Sequence, residues 1–301
     1  AVMWEQKTGL ARCGVPYRVY LLEDLAREDF PRHAVYYFPN LFRVDEPRLE
    51  LLRRKVFRDG AVVLWGPGSG ISDGRELSPM PLPRGQKPDT TALPSPQRLT
   101  GFRFHPLILA NAPRRTLITN FDHPVTAGLK ADAVLGGPLA YGPVLLPADG
   151  TELGMAWTKQ GRSVAGLAVK EFGRGAAGNG REGPRGEGDW ASVFTSAVPV
   201  PADLWRGLAR FAGAHVWCDT NDVLMADATV VALHSVRSGP KVIRLPAACR
   251  VHDVISGELL SERAEEIRFD LEASGTRVFR MEPAGAAPAT PQANNQGAPD
   301  R

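Results

Sequence analysis

The sequence predicts an α/β protein: a flavodoxin-like, doubly wound sheet of mostly parallel strands whose first strand the chain lacks, followed by a small antiparallel β-sandwich. Three observations predict it. The run Ala-Val-Val-Leu-Trp at 61–65 is apolar without a break, as an interior parallel strand covered on both faces is. An amphipathic helix and another strand candidate precede it, which makes a βαβ unit. From about residue 223 the apolar period changes to two, and Gly-containing turns separate short strands, the spacing of a small all-β unit.

The elements follow in order. Residues 1–13 read as a helix closed by Gly14, and a helix that opens a chain and feeds a buried strand implies a strand before it. The sequence therefore reads as a piece of something longer, and localisation cannot be read from its start: the parent is cytoplasmic or secreted. Residues 17–22 and 34–38 are strand candidates rich in β-branched and aromatic side chains, the second stopped by Pro39-Asn40. Asp45 is a good N-cap, with Glu46 and Pro47 in the first turn, and Leu49, Leu52 and Val56 form one apolar face of a helix over 46–58. Residues 78–98 carry six prolines and no apolar period, so a loop is expected there. Short strands are expected at 115–119, 139–146, 153–158 and 164–172, with Asp149-Gly150 and Gln160-Gly161 as turns. A Gly- and Arg-rich loop follows at 173–188, then a helix over 202–212 capped by Gly213 and a buried strand at 215–218. The domains expected are 1–222 (α/β), 223–282 (all-β, with strands at 230–233, 242–245, 250–254, 267–271 and 277–281) and a disordered Ala/Pro-rich tail at 283–301.

Composition narrows the function classes. The chain has 301 residues, 43% apolar and 23% charged, and no apolar run long enough for a membrane-spanning helix. Net charge is +3, from 29 Arg and 7 Lys against 33 acids. The densest basic cluster, Arg53-Arg54-Lys55 with Arg58, sits on the helix beside Glu50 and reads as its solvated face, so no nucleic acid partner is expected. Cys13, Cys218 and Cys249 are far apart and outside any CxxC or Cys/His spacing, which argues against disulfides and zinc. No metal or other cofactor is expected.

Candidate chemistry is sparse. Gly66-Pro67-Gly68-Ser69-Gly70 follows the apolar strand at the carboxyl end where ligands sit in such sheets, so Gly66, Gly68, Ser69 and Gly70 are ligand-loop candidates. Ile71 breaks GxGxxG, no Gly-Lys-Ser/Thr makes a P-loop, and Pro67 and Ile71 break GxSxG; a tight turn is the plainer reading. Ser69 could be joined with one of His33, His105, His123, His215, His234 or His252 and an aspartate, but six histidines make such sets easy to assemble. Asp219, Asp222 and Asp227 resemble a calcium loop without its order or its closing Glu, so they read as turn residues. Among the tryptophans, Trp190 is the best candidate for an exposed sugar-stacking ring; Trp65, Trp205 and Trp217 read as core.

The order of the pieces is more specific than any one of them. PYRVYLLEDL (16–25) and AVYYFPNLFRVDEPRLELLRRKVFRDGAVVLWGPGSG (34–70) resemble the glutamine-amidotransferase-like domain, often called the β-galactosidase trimerisation domain, that follows the catalytic barrel in family 42-type glycoside hydrolases. HPVTAGL (123–129), GLAVKEFGRG (166–175) and the stretch 203–235 are similar to its later parts, and VIRLPAACRVHDVISGE (242–258) to the small β-module that ends such proteins. Two departures limit what carries over. Ser69 stands where amidotransferases place a nucleophilic Cys, so that reaction is not implied. The hydrolases' catalytic carboxylates belong to an upstream barrel, so no catalytic residue maps here. The resemblance implies a non-catalytic portion that packs on the barrel, lines its mouth or joins subunits. Its partners would be that barrel, copies of itself and, through the parent, a carbohydrate substrate. A stand-alone hydrolase using the Ser69 loop and a carbohydrate-binding module are the alternatives.

Overall fold

The computed structural model describes residues 2–74, 94–105, 113–141, 144–158, 161–173 and 188–284. Most of the Pro-rich and Gly-rich stretches, Gln160 and the tail beyond 284 lie outside the described residues.

Helix α1 (Val2–Ala11) leads through Gly14, at φ +70°, into the body of the molecule. Strand β1 (Val35–Phe38) ends at Pro39, and α2 (Glu46–Lys55) starts where Asp45 accepts the Arg48 amide at 3.2 Å. Strand β2 (Ala61–Trp65) is buried at every position. Its alternate residues face opposite ways: Val62 and Leu64 join a core with Leu204 and Leu208, whereas Val63 and Trp65 join one with Leu49 and Leu52. Helix α1 and α4 (Ala202–Phe211) thus cover one face of the sheet and α2 the other.

The doubly wound expectation ends there. After α3 (Pro94–Thr100) and β3 (Phe104–His105) come β4 (Arg115–Ile118), β5 (Val134–Gly136), β6 (Leu146–Pro147), β7 (Thr151–Trp157), β8 (Ser163–Phe172) and β9 (Trp190–Thr195). Seven strands form one sheet in the order β1-β2-β9-β8-β7-β4-β5. β1, β2 and β9 are parallel, and every pairing from β9 through β8, β7 and β4 to β5 is antiparallel. The protein is mostly β, 38% strand against 17% helix, and this sheet is a curled, mixed half-barrel, not a flavodoxin-like fold. The physical reason lies in the connections. β7 and β8 are joined by a link too short for a crossover helix, which forces them antiparallel, and among the described residues only α2 stands as a helical crossover between adjacent parallel strands.

Residues 17–22 are not the leading strand. They enter no ladder, Leu21 is extended (φ −78°, ψ 153°), and a short 3-10 helix, Leu22–Ala26, follows. Of the strand expected at 139–146, Leu146 is the one residue that enters a ladder among the described residues, in the pair β3–β6. Residues 215–218 belong to no strand. The Trp217 amide donates to Gly14 O at 2.9 Å and Trp217 O accepts the Arg244 amide at 2.7 Å, so this segment ties the end of α1 to the last sheet.

That last sheet comprises β10 (Val223–Ala226), β11 (Val230–His234), β12 (Gly239–Asp253), β13 (Leu259–Leu271) and β14 (Thr276–Pro283), in the order β10-β11-β14-β12-β13. It is one antiparallel sheet, not a sandwich of two. β12 bends at register shifts between Arg244 and Cys249, so its first half pairs with β13 and its second half with both β13 and β14. Bending wraps the sheet around Leu233, Ile243, Val251, Phe279 and Met281, against which Trp217 packs. Among the described residues no helix is long and apolar enough to cross a membrane.

Candidate functional site

The turn after β2 is built from the inside. Gly66 donates its amide to Phe38 O at 2.9 Å, and a Cβ there would stand 2.2 Å from Pro39 O, so only glycine lets the two turns touch. The Gly70 amide donates to Leu41 O at 2.8 Å, and Pro67 O accepts the Leu145 amide at 2.8 Å. Ser69 is wholly buried, and its Oγ donates to Phe38 O at 3.4 Å. Among the described residues no histidine is bonded to that hydroxyl. The Gly66 and Gly70 amides and the serine hydroxyl are thus spent on residues 38–41 and the Pro67 carbonyl on residue 145, which leaves Ser69 without an activating histidine among the described residues.

Trp190 opens β9 and is half-buried. Phe57 stacks on one face of its indole at 4.3 Å and 9°, and Phe172, its cross-strand neighbour on β8, stacks on the other at 4.5 Å and 13°. Both ring faces that a sugar would use are occupied by side chains of the chain itself.

The histidines are scattered. His123 accepts the Val125 amide at Nδ1, lies 3.9 Å from Glu171 and packs on Phe211. His215 meets Arg244 O at 2.9 Å and His234 meets Thr276 Oγ1 at 2.9 Å. Of the three aspartates, Asp222 lies buried 2.8 Å from Lys241 Nζ, Asp219 pairs with Arg244, and Asp227 accepts the Thr229 and Val230 amides. They converge on no common point. Among the described residues no group of three or more His, Cys, Asp or Glu side chains could hold a metal ion.

Among the described residues the structure assembles a polar concavity that the sequence did not reveal. A groove of about 180 Å³ lies between the turn at 30–33 and the C-terminal end of α2, walled by Arg32, His33, Arg54, Lys55, Arg58 and Asp59. The Arg58 hydrogen bond to Asp59, at 2.6 Å, holds that carboxyl below the ordinary carboxylate range. Burial, and then the charge of Arg18, lowers His33. Arg54, Lys55 and Arg58 read as a solvated helix face in the sequence; nothing there says that Arg32 and His33 fold over against them.

No protein-family model matches the sequence, and no curated protein matches it. Among solved structures, a catalytic mutant of Gan42B, a GH42 β-galactosidase from G. stearothermophilus, matches 92% of this chain and 35% of its own, with a TM-score of 0.51 at 11% identity. The likeness is one of fold. Another structure of Gan42B gives 0.49 at 13% identity over 92% of this chain and 35% of that one. The β-galactosidase of the psychrophilic Marinomonas ef1 gives 0.41 at 12% over 83% and 29%. The chain thus spans about a third of the length of the solved proteins it matches. The glutamine-amidotransferase-like part of the expected assignment finds no support in these matches.

Proposed function

We propose that this chain is a non-catalytic portion of a β-galactosidase-like glycoside hydrolase, corresponding to the trimerisation-type domain and terminal β-module of such proteins, and that it packs on a catalytic barrel or joins subunits. The observation that carries the reading is the lopsided coverage: nearly the whole chain, 92%, matches within 35% of a GH42 β-galactosidase. The buried Ser69 hydroxyl, bonded to main chain, and the filled faces of Trp190 agree with it.

The chain is incubated with aryl β-galactosides and aryl esters, and release of the chromophore is followed. No turnover above the buffer rate is expected, since the reaction needs two carboxylates placed across the glycosidic bond or an activated nucleophile. Turnover that disappears in Ser69→Ala overturns the reading in favour of a hydrolase working at that loop.

A further inference from the structure

We propose that the groove between residues 30–33 and the end of α2 binds a small phosphate-type oxyanion, a function separate from packing or assembly. Its walls carry Arg32, Arg54, Lys55 and Arg58 against a single carboxylate, Asp59, which Arg58 already engages. Counting the walls alone, four cations against one anion leave three positive charges facing the same small volume. Like charges gathered this way repel one another, and an anion among them removes that repulsion.

The donors are arranged for it. Arg32 reaches across the groove and donates to the carbonyl of Asp59, which fixes its guanidinium while leaving other N–H groups of the fork for a ligand. Lys55 donates one of its ammonium hydrogens to Arg27 O at 3.1 Å, which likewise anchors the amine at the rim. His33 lines the groove, and its Nε2 is buried with no hydrogen-bond partner. Asp59 and Gly60, at φ 55° and 76°, make the left-handed turn that brings Arg58 and Asp59 round to face Arg32.

Size selects the ligand class. The groove's volume is about 180 Å³. That holds a phosphate group with some of its water, or the phosphate end of a small ester, and lies below the range of about 300–1,000 Å³ that encloses larger ligands. Forked guanidinium donors fit the tetrahedral oxygens of such a group better than they fit chloride.

The whole chain is titrated with sodium phosphate by calorimetry, and its thermal midpoint is followed against sodium chloride at matched ionic strength. Phosphate is expected to bind at one equivalent and to raise the midpoint with concentration, as a ligand of the folded state does. Arg54→Gln, an exposed position, should weaken binding about tenfold, or about 1.4 kcal/mol. Arg53→Gln, whose side chain pairs with Glu50 outside the groove, should leave it unchanged. A parallel titration with a hexose monophosphate assigns the source: tighter binding than inorganic phosphate identifies an ester ligand, and equal or weaker binding identifies the free ion. Equal stabilisation by chloride, binding at several equivalents, or an equal loss in Arg53→Gln overturns the proposal, because each describes diffuse attraction to a basic surface.

Discussion

Asp222 shows how much a single side chain depends on partners far along the chain. Its carboxylate is 1% exposed and 2.8 Å from Lys241 Nζ, and it accepts the Thr220 hydroxyl and the Val236 amide. Burial by itself pushes this carboxyl up; the hydrogen bonds and the charge of Lys241 outweigh it and leave it below the ordinary range. A folded-state value below the unfolded one, about 3.9, stabilises the fold fully above that pH and loses the contribution as pH falls through the folded value. Acid unfolding should therefore steepen below about pH 4, and Asp222→Asn should flatten that limb. At pH 7 the same substitution leaves Lys241 buried without its counter-charge and should cost about 3–5 kcal/mol by urea denaturation. Reading the sequence, Asp222 is one of three acids in a turn, because nothing local names Lys241. The same blindness hid the basic groove: Arg54 and Lys55 have an evident helix, but Arg32 meets them only through the fold.

At the scale of elements, what was legible was what local chemistry decides. Asp45, Pro47 and the spacing of Leu49 and Leu52 specify α2, and the apolar run at 61–65 specifies β2. The segment 17–22 carries the same β-branched and aromatic signal yet forms no ladder, because strand propensity describes a surface to be paired and cannot name a neighbour. The expected strands 242–245 and 250–254 are halves of β12, separated in pattern by the irregular register around Pro246 and Ala247. Helix α4 sets local preference against packing. Gly207→Ala should gain about 1 kcal/mol of helix propensity. The new Cβ would stand 1.9 Å from Val125 O, a main-chain atom that cannot rotate away, and overpacking of that kind costs up to about 3 kcal/mol. Net destabilisation of about 2 kcal/mol is expected, seen as a lower urea midpoint with an unchanged slope.

At the scale of the whole molecule, pairing direction was legible at Ala61–Trp65, whose neighbours β1 and β9 are both parallel, and escaped the sequence at β7 and β8, where a strand pattern shows burial but not the sense of the neighbours. The same sheet order carries a consequence for assembly. β1 is an end strand, so one edge of Val35–Phe38 has no ladder partner among the described residues. Tyr20 ties the irregular segment before it to that edge through ring contacts with His33, which in turn meets Tyr36. On this segment Val19 and Leu21 are 68% and 72% exposed, and at the far hairpin Ile255 is 81% exposed. An open strand edge beside apolar side chains recruits other chains, and charge placed there prevents it. Light scattering of the chain should therefore show self-association that rises with concentration. Val19→Lys with Leu21→Lys should return it towards a monomer, whereas Ile255→Lys alone should do so only if the hairpin end is the contact. The two variants thus decide which surface joins the copies. A chain that stays monomeric at high concentration and binds no apolar dye would instead show that both surfaces are at ease in water, and the assembly role would fall with them.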